Sequence, residues 1–281
     1  MAECGVCFRH CQLEEGQLGF CGGRIARNGR VEAFNYGRIT SLALDPIEKK
    51  PLARFYPGSL ILSVGSFGCN LRCPFCQNHE ISWSEQARRF ADTAETIRPE
   101  ALAELAAETQ PRGNLGVAFT YNEPLIGYEF VRDTAKLVRE NGMKNVMVTN
   151  GTAELAVLEE LSPYIDAMNI DLKGFTDRWY RDLGGDLPQV LAFIEEAVKT
   201  CHVELTTLIV PGGNDTDEEM RELSKWVSRL KEPDGESVPL HISRFFPRFH
   251  MQDRAATDVG TVYHLADVAR ESLPWVYTGN C

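Results

Sequence analysis

Val64–His79 reads VGSFGCNLRCPFCQNH and closes an apolar, β-branched run, Leu60–Val64, with the composition of a buried strand. Directly after the run, Cys69, Cys73 and Cys76 form a C-x3-C-x2-C array. Three thiolates on one tight loop can hold a four-iron iron–sulfur cluster and leave one iron without a protein ligand. An open iron of that kind can bind and reduce a small molecule instead of only relaying electrons. The asymmetric spacing separates the array from paired C-x2-C motifs, which read first as zinc. Gly68 lets the chain leave the strand at positive φ, and Pro74 stiffens the loop between the second and third cysteines.

Outward from this loop the pattern repeats as strand, loop, helix. Further candidate strands are Gly116–Thr120, Asn145–Thr149, Ala167–Asp171, His202–Ile209 and Leu240–Arg244, with Trp275–Tyr277 as a possible addition. Helical patterns lie between them at Pro99–Thr109, Pro124–Asn141, Ala153–Leu161, Pro188–Thr200, Thr216–Lys231 and Val259–Glu271. Asn214 and Asp215 read as caps for the fifth of these, with Glu218 and Glu219 completing the box. Short strands alternating with helices imply a parallel sheet with right-handed crossovers. The expected fold class is therefore α/β, a partial (β/α)6 TIM-like barrel with a small cysteine-rich N-terminal appendage. Residues 1–50 are the appendage and 51–281 the barrel. The motifs FGCNLRC, YNEP, TNG, DLKG, PGGND and RFFP all fall just after strands. In a parallel barrel that is one rim, the face on which active sites form.

The composition narrows the partners. A net charge of −11 over 281 residues argues against nucleic acid, because phosphate binding needs clustered Lys and Arg. No apolar stretch approaches a bilayer's thickness, and MAECGVCFRHC lacks an apolar signal core, so no membrane partner is expected and the location reads as cytoplasmic. Of nine cysteines, seven sit in two compact groups, four before residue 22 and three at 69–76. Clustering of this kind in a chain without an export signal favours metal over disulfide. The N-terminal array Cys4-x2-Cys7-x3-Cys11-x9-Cys21 offers four soft ligands in a glycine-rich segment too small to build a core. A tetrathiolate metal could fold it; tetrahedral zinc is the leading reading and a second iron–sulfur cluster its rival.

The cysteine array, with Phe75 before its last member, resembles the signature of radical S-adenosylmethionine (SAM) enzymes. DPIEKKPLARFYPGS (45–59), SVGSFGCNLRCPFCQN (63–78), FTYNEP (119–124), VTNG (148–151), NIDLKG (169–174), TTLIVPGGND (206–215) and HISRFFP (241–247) extend the likeness. In this order they resemble the radical SAM member of the AmmeMemoRadiSam system, within the pyruvate formate-lyase-activating-enzyme-like group. The resemblance implies a radical SAM oxidoreductase whose 4Fe-4S cluster, held by Cys69, Cys73 and Cys76, reductively cleaves SAM. The 5′-deoxyadenosyl radical so formed would abstract hydrogen from a glycyl radical protein or a small molecule. It implies SAM-binding roles for Phe75, Asn78, Glu123, Thr149, Asn150, Asp171 and Lys173. It also implies a flavodoxin- or ferredoxin-like electron donor, Memo-like and AmmeCR-like or glycyl radical partners, and a cysteine-containing tail beyond Cys281.

Several of these residues have plainer readings. Phe75 could be a core aromatic, Asn78 a loop cap, Glu123 an N-cap for the helix starting at Pro124, and Asp171–Lys173 a surface ion pair. His241 and Arg244 are looser candidates, and His250 could supply a polar contact that Phe246 cannot. The rival function is a non-catalytic metal-binding interaction module on a barrel scaffold. A zinc hydrolase is disfavoured, since only six histidines exist and none forms an H-x-H or H-E-x-x-H pattern.

Overall fold

The computed structural model describes residues 1–281, with the side chains of Arg88 and Ala91 outside the description. Its centre is one eight-stranded sheet whose spatial order is the chain order. The strands are β1 (Ser41–Pro46), β2 (Leu60–Gly65), β3 (Asn114–Phe119), β4 (Lys144–Thr149), β5 (Ala167–Asp171), β6 (His202–Ile209), β7 (Leu240–Arg244) and β8 (Val276–Gly279). From β2 to β8 every pairing is parallel, while β1 pairs with β2 antiparallel. The sheet is an open, partial barrel, since β1 and β8 are its two edges. Six helices cover its outside: α1 (Pro99–Thr109), α2 (Tyr128–Glu140), α3 (Leu155–Leu161), α4 (Leu187–Ala197), α5 (Asp217–Val227) and α6 (Val259–Arg270).

The layering follows from period-two strands meeting amphipathic helices. Outward residues such as Leu62, Val117, Met147, Ile170, Leu205 and Ile242 are fully or nearly fully buried against the helices. Inward residues Ile61, Ala118, Val146 and Ala167 pack instead on Ile47 and Leu52. Those two belong to the segment between β1 and β2, which crosses beneath the barrel. Asn169 donates to the Pro51 carbonyl at 2.8 Å, and the Ala53 and Arg54 amides donate to Glu204 at 3.0 and 2.8 Å. The underside is therefore a floor. Each buried Leu, Ile or Val contributes roughly 1.5–3 kcal/mol. β3 requires a glycine: a Cβ on Gly116 would lie 1.8 Å from the Lys144 carbonyl of β4.

Two features differ from the sequence-based expectation. β1 lies within residues 1–50, so the sheet begins ahead of residue 51. α5 is capped by Thr216, whose hydroxyl accepts the Glu219 amide at 3.3 Å, not by Asn214 or Asp215. Asn214 instead closes the PGGND turn, accepting the Val210 amide and donating to the Lys173 and Leu208 carbonyls. Among the described residues no helix is long and apolar enough to cross a membrane.

Candidate functional site

The loop leaving β2 carries the three cysteines, and Gly68 shapes its first turn. Gly68 has φ +95°, and a Cβ there would meet the Cys21 carbonyl at 2.7 Å and Ile126 at 2.8 Å. Only glycine allows both the conformation and the approach. Cys73 is buried and Cys69 and Cys76 nearly so, in an apolar surround that includes Leu71, Phe75, Trp179 and Phe245. Two N–H groups face the first thiol: the Leu71 amide lies 3.4 Å from Cys69 Sγ and Asn150 Nδ2 lies 3.8 Å from it. Burial pushes Cys69 well above the ordinary thiol range, with Glu123 adding to the shift. Burial likewise carries Cys73 up to about 11, against the pull of the Lys173 ammonium, and raises Cys76. Three buried thiols with N–H donors and a lysine beside them suit ionisation against a cationic iron group.

The strand ends after β3, β4 and β5 supply polar groups to the same place. Lys173 Nζ donates to Asp171 Oδ2 at 2.8 Å; the lysine side chain is 15% exposed and the aspartate 34%. Burial pulls the Lys173 ammonium down, but Asp171 and Cys73 outweigh it and the net shift is upward. The Lys173 ammonium is thus held beside Asp171 and Cys73, and the pair opens to the rim. Asn78 donates to the Tyr121 carbonyl at 2.7 Å, tying the cysteine loop to YNEP. Phe75 stacks on Trp179 with centroids 6.1 Å apart and meets Phe245 edge-on at 6.3 Å.

A family model described as the radical SAM superfamily matches residues 63–227, more than half of the chain. The chain belongs to that superfamily. An uncharacterized protein of Methanocaldococcus jannaschii is 41% identical over 280 residues, covering 99% of this chain and 80% of that protein. The pyruvate formate-lyase-activating enzyme of Clostridium pasteurianum is 28% identical, over 62% of this chain and 72% of its own length. Streptococcus suis SuiB bound to S-adenosylmethionine matches with a TM-score of 0.58 and 14% identity, over 76% of this chain and 48% of that one. At that identity the likeness is one of fold. As a radical SAM protein, the chain is a SAM-cleaving radical enzyme with a 4Fe-4S cluster, homologous to pyruvate formate-lyase-activating enzymes.

Within this radical SAM site, the carboxylate of Glu123 is committed inward. Oε1 accepts the Thr149 hydroxyl at 2.6 Å and the Leu125 amide at 3.0 Å, and Oε2 accepts the Asn150 amide at 2.8 Å. Glu123 therefore caps the turn at Pro124, as its plainer reading has it, and also locks YNEP to TNG. Burial raises its pKa to about 7, against those three hydrogen bonds. His241 is the second residue of β7, with Nε2 2.6 Å from Glu204, the carboxylate that holds the Ala53 and Arg54 amides. It is part of the floor. Sequence reasoning missed Asn70, whose Oδ1 accepts from Asn150 at 2.9 Å and whose Nδ2 donates to Thr152 at 2.7 Å. It also missed Trp179 and Tyr180, which hold the Lys173 backbone: Trp179 Nε1 donates to its carbonyl at 2.7 Å and the Tyr180 hydroxyl accepts its amide at 3.0 Å. The one available signal was an aromatic pair just after DLKG.

The N-terminal cysteines converge too. Cys4, Cys7, Cys11 and Cys21 line one cavity with Arg9, Arg24 and Asn70, and all four are free thiols. Burial pushes Cys21 up to about 12. The cavity backs onto the catalytic loop, because the Cys69 amide donates to the Cys21 carbonyl at 3.1 Å. Phe20 is sandwiched between two guanidinium groups, Arg9 at 3.5 Å and Arg72 at 3.7 Å. Arg72 also donates to the carbonyls of Phe20, Leu71 and Cys69.

Proposed function

We propose that Cys69, Cys73 and Cys76 ligate the 4Fe-4S cluster and that Asp171 and Lys173 receive the methionine end of SAM beside it. The convergence of a charged lysine–aspartate pair with the three thiols at one rim carries this reading. When bound, the cluster supplies one electron to the C5′–S bond of SAM, which gives methionine and a 5′-deoxyadenosyl radical. The chain's own residues bind and orient. Lys173 offers its ammonium to the SAM carboxylate, and Asp171 offers an acceptor to the ribose or the ammonium. Asn150 directs an N–H at Cys69, while Glu123 holds Thr149 and Asn150 in register with the loop. Asn78 fixes the loop against Tyr121. Phe75 gives the adenine an apolar wall continuous with Trp179.

The substrate we favour is the main chain of a glycyl radical protein, on the strength of a relative named for activating pyruvate formate-lyase. A small molecule is the alternative. The order of motifs along the chain supports placement in the AmmeMemoRadiSam system, with Memo-like and AmmeCR-like partners. A flavodoxin- or ferredoxin-like donor would supply the electron. Free thiols and an oxygen-labile cofactor suit a reducing, cytoplasmic setting. The four N-terminal cysteines belong to this reading as a second metal centre, of zinc or of iron and sulfide.

Anaerobic reconstitution, reduction with dithionite and quantification of 5′-deoxyadenosine test it. The Cys69/Cys73/Cys76→Ala protein should form none. Undiminished product from that variant sinks the assignment.

A further inference from the structure

We infer that Lys50, Asp45 and Tyr121 form an anchor inside the barrel for an oxyanion, a carboxylate or a phosphate, on the substrate presented to the radical. The inference rests on the radical reading of the rim given above and adds a second handle on the substrate. Asp45 stands opposite Ile61 in the β1–β2 register, and residues opposed in this way share a face, so its carboxylate points inward. Tyr121 comes to the same place from the rim. Its φ of +73° is unusual for a residue with a side chain, and its ring lies across Gly65, where a Cβ would meet it at 2.8 Å. The Tyr121 hydroxyl donates to Asp45 Oδ2 at 2.7 Å, while its carbonyl accepts Asn78 of the cysteine loop. Lys50 arrives from the segment that crosses the floor. It donates to the same Oδ2 at 3.0 Å, with its ammonium 4.7 Å from the centre of the Tyr121 ring.

Two observations call for an anion. The Lys50 side chain is only 3% exposed, yet among the described residues Asp45 is the one acceptor its ammonium bonds. An ammonium carries three N–H donors, and a buried charge is costly unless they are met, so spare donors here suit a ligand oxygen. The local charge is also out of balance. The exposed Lys49 donates to Asp45 Oδ1 at 3.2 Å, so one carboxylate serves two ammonium groups and a tyrosine. Glu48 does not restore the balance, since it accepts the Gly58 amide on the exposed side. An excess of positive charge at this point, in a chain of net charge −11, favours a negatively charged ligand. Burial pulls the Lys50 ammonium below its ordinary value with Asp45 opposing, and a bound oxyanion would offset that loss. Burial and Asp45 push the Tyr121 hydroxyl up to about 12, so it stays a donor. DPIEKK and the tyrosine of YNEP, to which SAM binding gives no task, acquire one.

The test is calorimetric titration of anaerobically reconstituted protein, saturated with SAM to occupy Lys173 and left unreduced so that no radical forms. Succinate, inorganic phosphate and acetyl-Gly-Asp-Gly-amide are the probes. The first two present a free oxyanion and the third an acidic side chain beside glycine. At least one should bind saturably, with a Kd of roughly millimolar order. Lys50→Met keeps the stem and removes the charge, and should weaken that binding about tenfold or more. The probe that binds tells whether the oxyanion comes from a small acid, a phosphate or a protein side chain. No saturable binding by any of the three, or equal binding by wild type and Lys50→Met, overturns the inference. Should Lys50→Met fail to fold, Lys50→Met with Asp45→Asn removes both charges together and must show the same loss. The readout does not depend on turnover. Wild-type protein that binds a probe through Lys50 yet forms no 5′-deoxyadenosine on reduction would fault the catalytic reading alone, and the converse would fault only the anchor.

Discussion

Glu204→Gln should destabilise the barrel and flatten its loss of stability at alkaline pH. The Glu204 side chain is fully buried in the floor. Oε1 accepts the Arg54 amide at 2.8 Å and sits 3.0 Å from His202 Nε2. Oε2 accepts the Ala53 amide at 3.0 Å and sits 2.6 Å from His241 Nε2. Burial pulls His202 down, but hydrogen bonds to Glu204 and Glu232 outweigh it and carry its pKa to about 9. Unfolded histidine titrates near 6.5, so the raised value corresponds to about 3 kcal/mol at most. Because the folded pKa is the higher, that stabilisation is complete below about pH 6.5 and is lost as pH rises through 9. Glu204 is depressed to about 2, with burial opposing and the two histidines prevailing. That shift reports the same contacts from the other partner and is not added. An amide places an NH2 where a carboxylate oxygen accepted, leaving at least one buried donor unpaired at about 1–3 kcal/mol. Since Glu232 still holds His202, the total at pH 6 should be about 2–4 kcal/mol, or a fall of roughly 5–10 °C in Tm. Near pH 10 the wild type has lost the His202 contribution, and the gap should shrink by about 1–2 kcal/mol. Urea and thermal unfolding of both proteins, reduced and anaerobic, measure it. An equal gap at both pH values would refute the assignment of His202 and Glu204 as a proton-linked pair.

Lys173→Met keeps the buried stem and removes the charge, leaving Asp171 exposed enough to be hydrated. SAM should bind roughly ten- to hundredfold more weakly by equilibrium dialysis, with Tm little changed. Unchanged affinity would reduce Asp171–Lys173 to an ion pair. Gly116→Ala drives a Cβ into the Lys144 carbonyl and should cost more than about 4 kcal/mol, so a near-native melt would contradict the β3–β4 register. Phe20→Ala removes the ring between Arg9 and Arg72, which should loosen residues 1–30 and speed limited proteolysis there. Its cost should be about 1–2 kcal/mol, and unaltered cleavage would count against the clamp.

What the sequence discloses is mostly local. Strand-forming stretches such as HVELTTLI fall between helical patterns, and β6 spans His202–Ile209 as expected. Motifs placed just after strands share a rim because parallel strands share a direction. Side chains whose duty is set by distant partners are illegible. Glu123 shows a cap signal but nothing of its bonds to Thr149 and Asn150, which come from the next strand. His241 belongs to a motif that ends on the rim, yet two-residue periodicity cannot say how far along the strand it sits. β1 reads as ordinary β-forming sequence, and only its pairing with β2 reveals an antiparallel edge. Asn70 is one polar residue among several until folding sets it between two cysteine groups.

The floor beneath the barrel governs traffic. Ile47, Leu52, Ile61, Ala118, Val146 and Ala167 are all wholly buried, so nothing passes through the bottom. The way out is the rim, where the cysteine loop and the strand ends lie. Whatever must be delivered to the interior, and whatever is left after turnover, shares that one doorway. Release is then a matter of queueing: a spent fragment lodged deep in the barrel cannot depart while a bulky partner stands at the entrance. Steady-state kinetics on such an enzyme should show compulsory order and strong inhibition by the last product to leave.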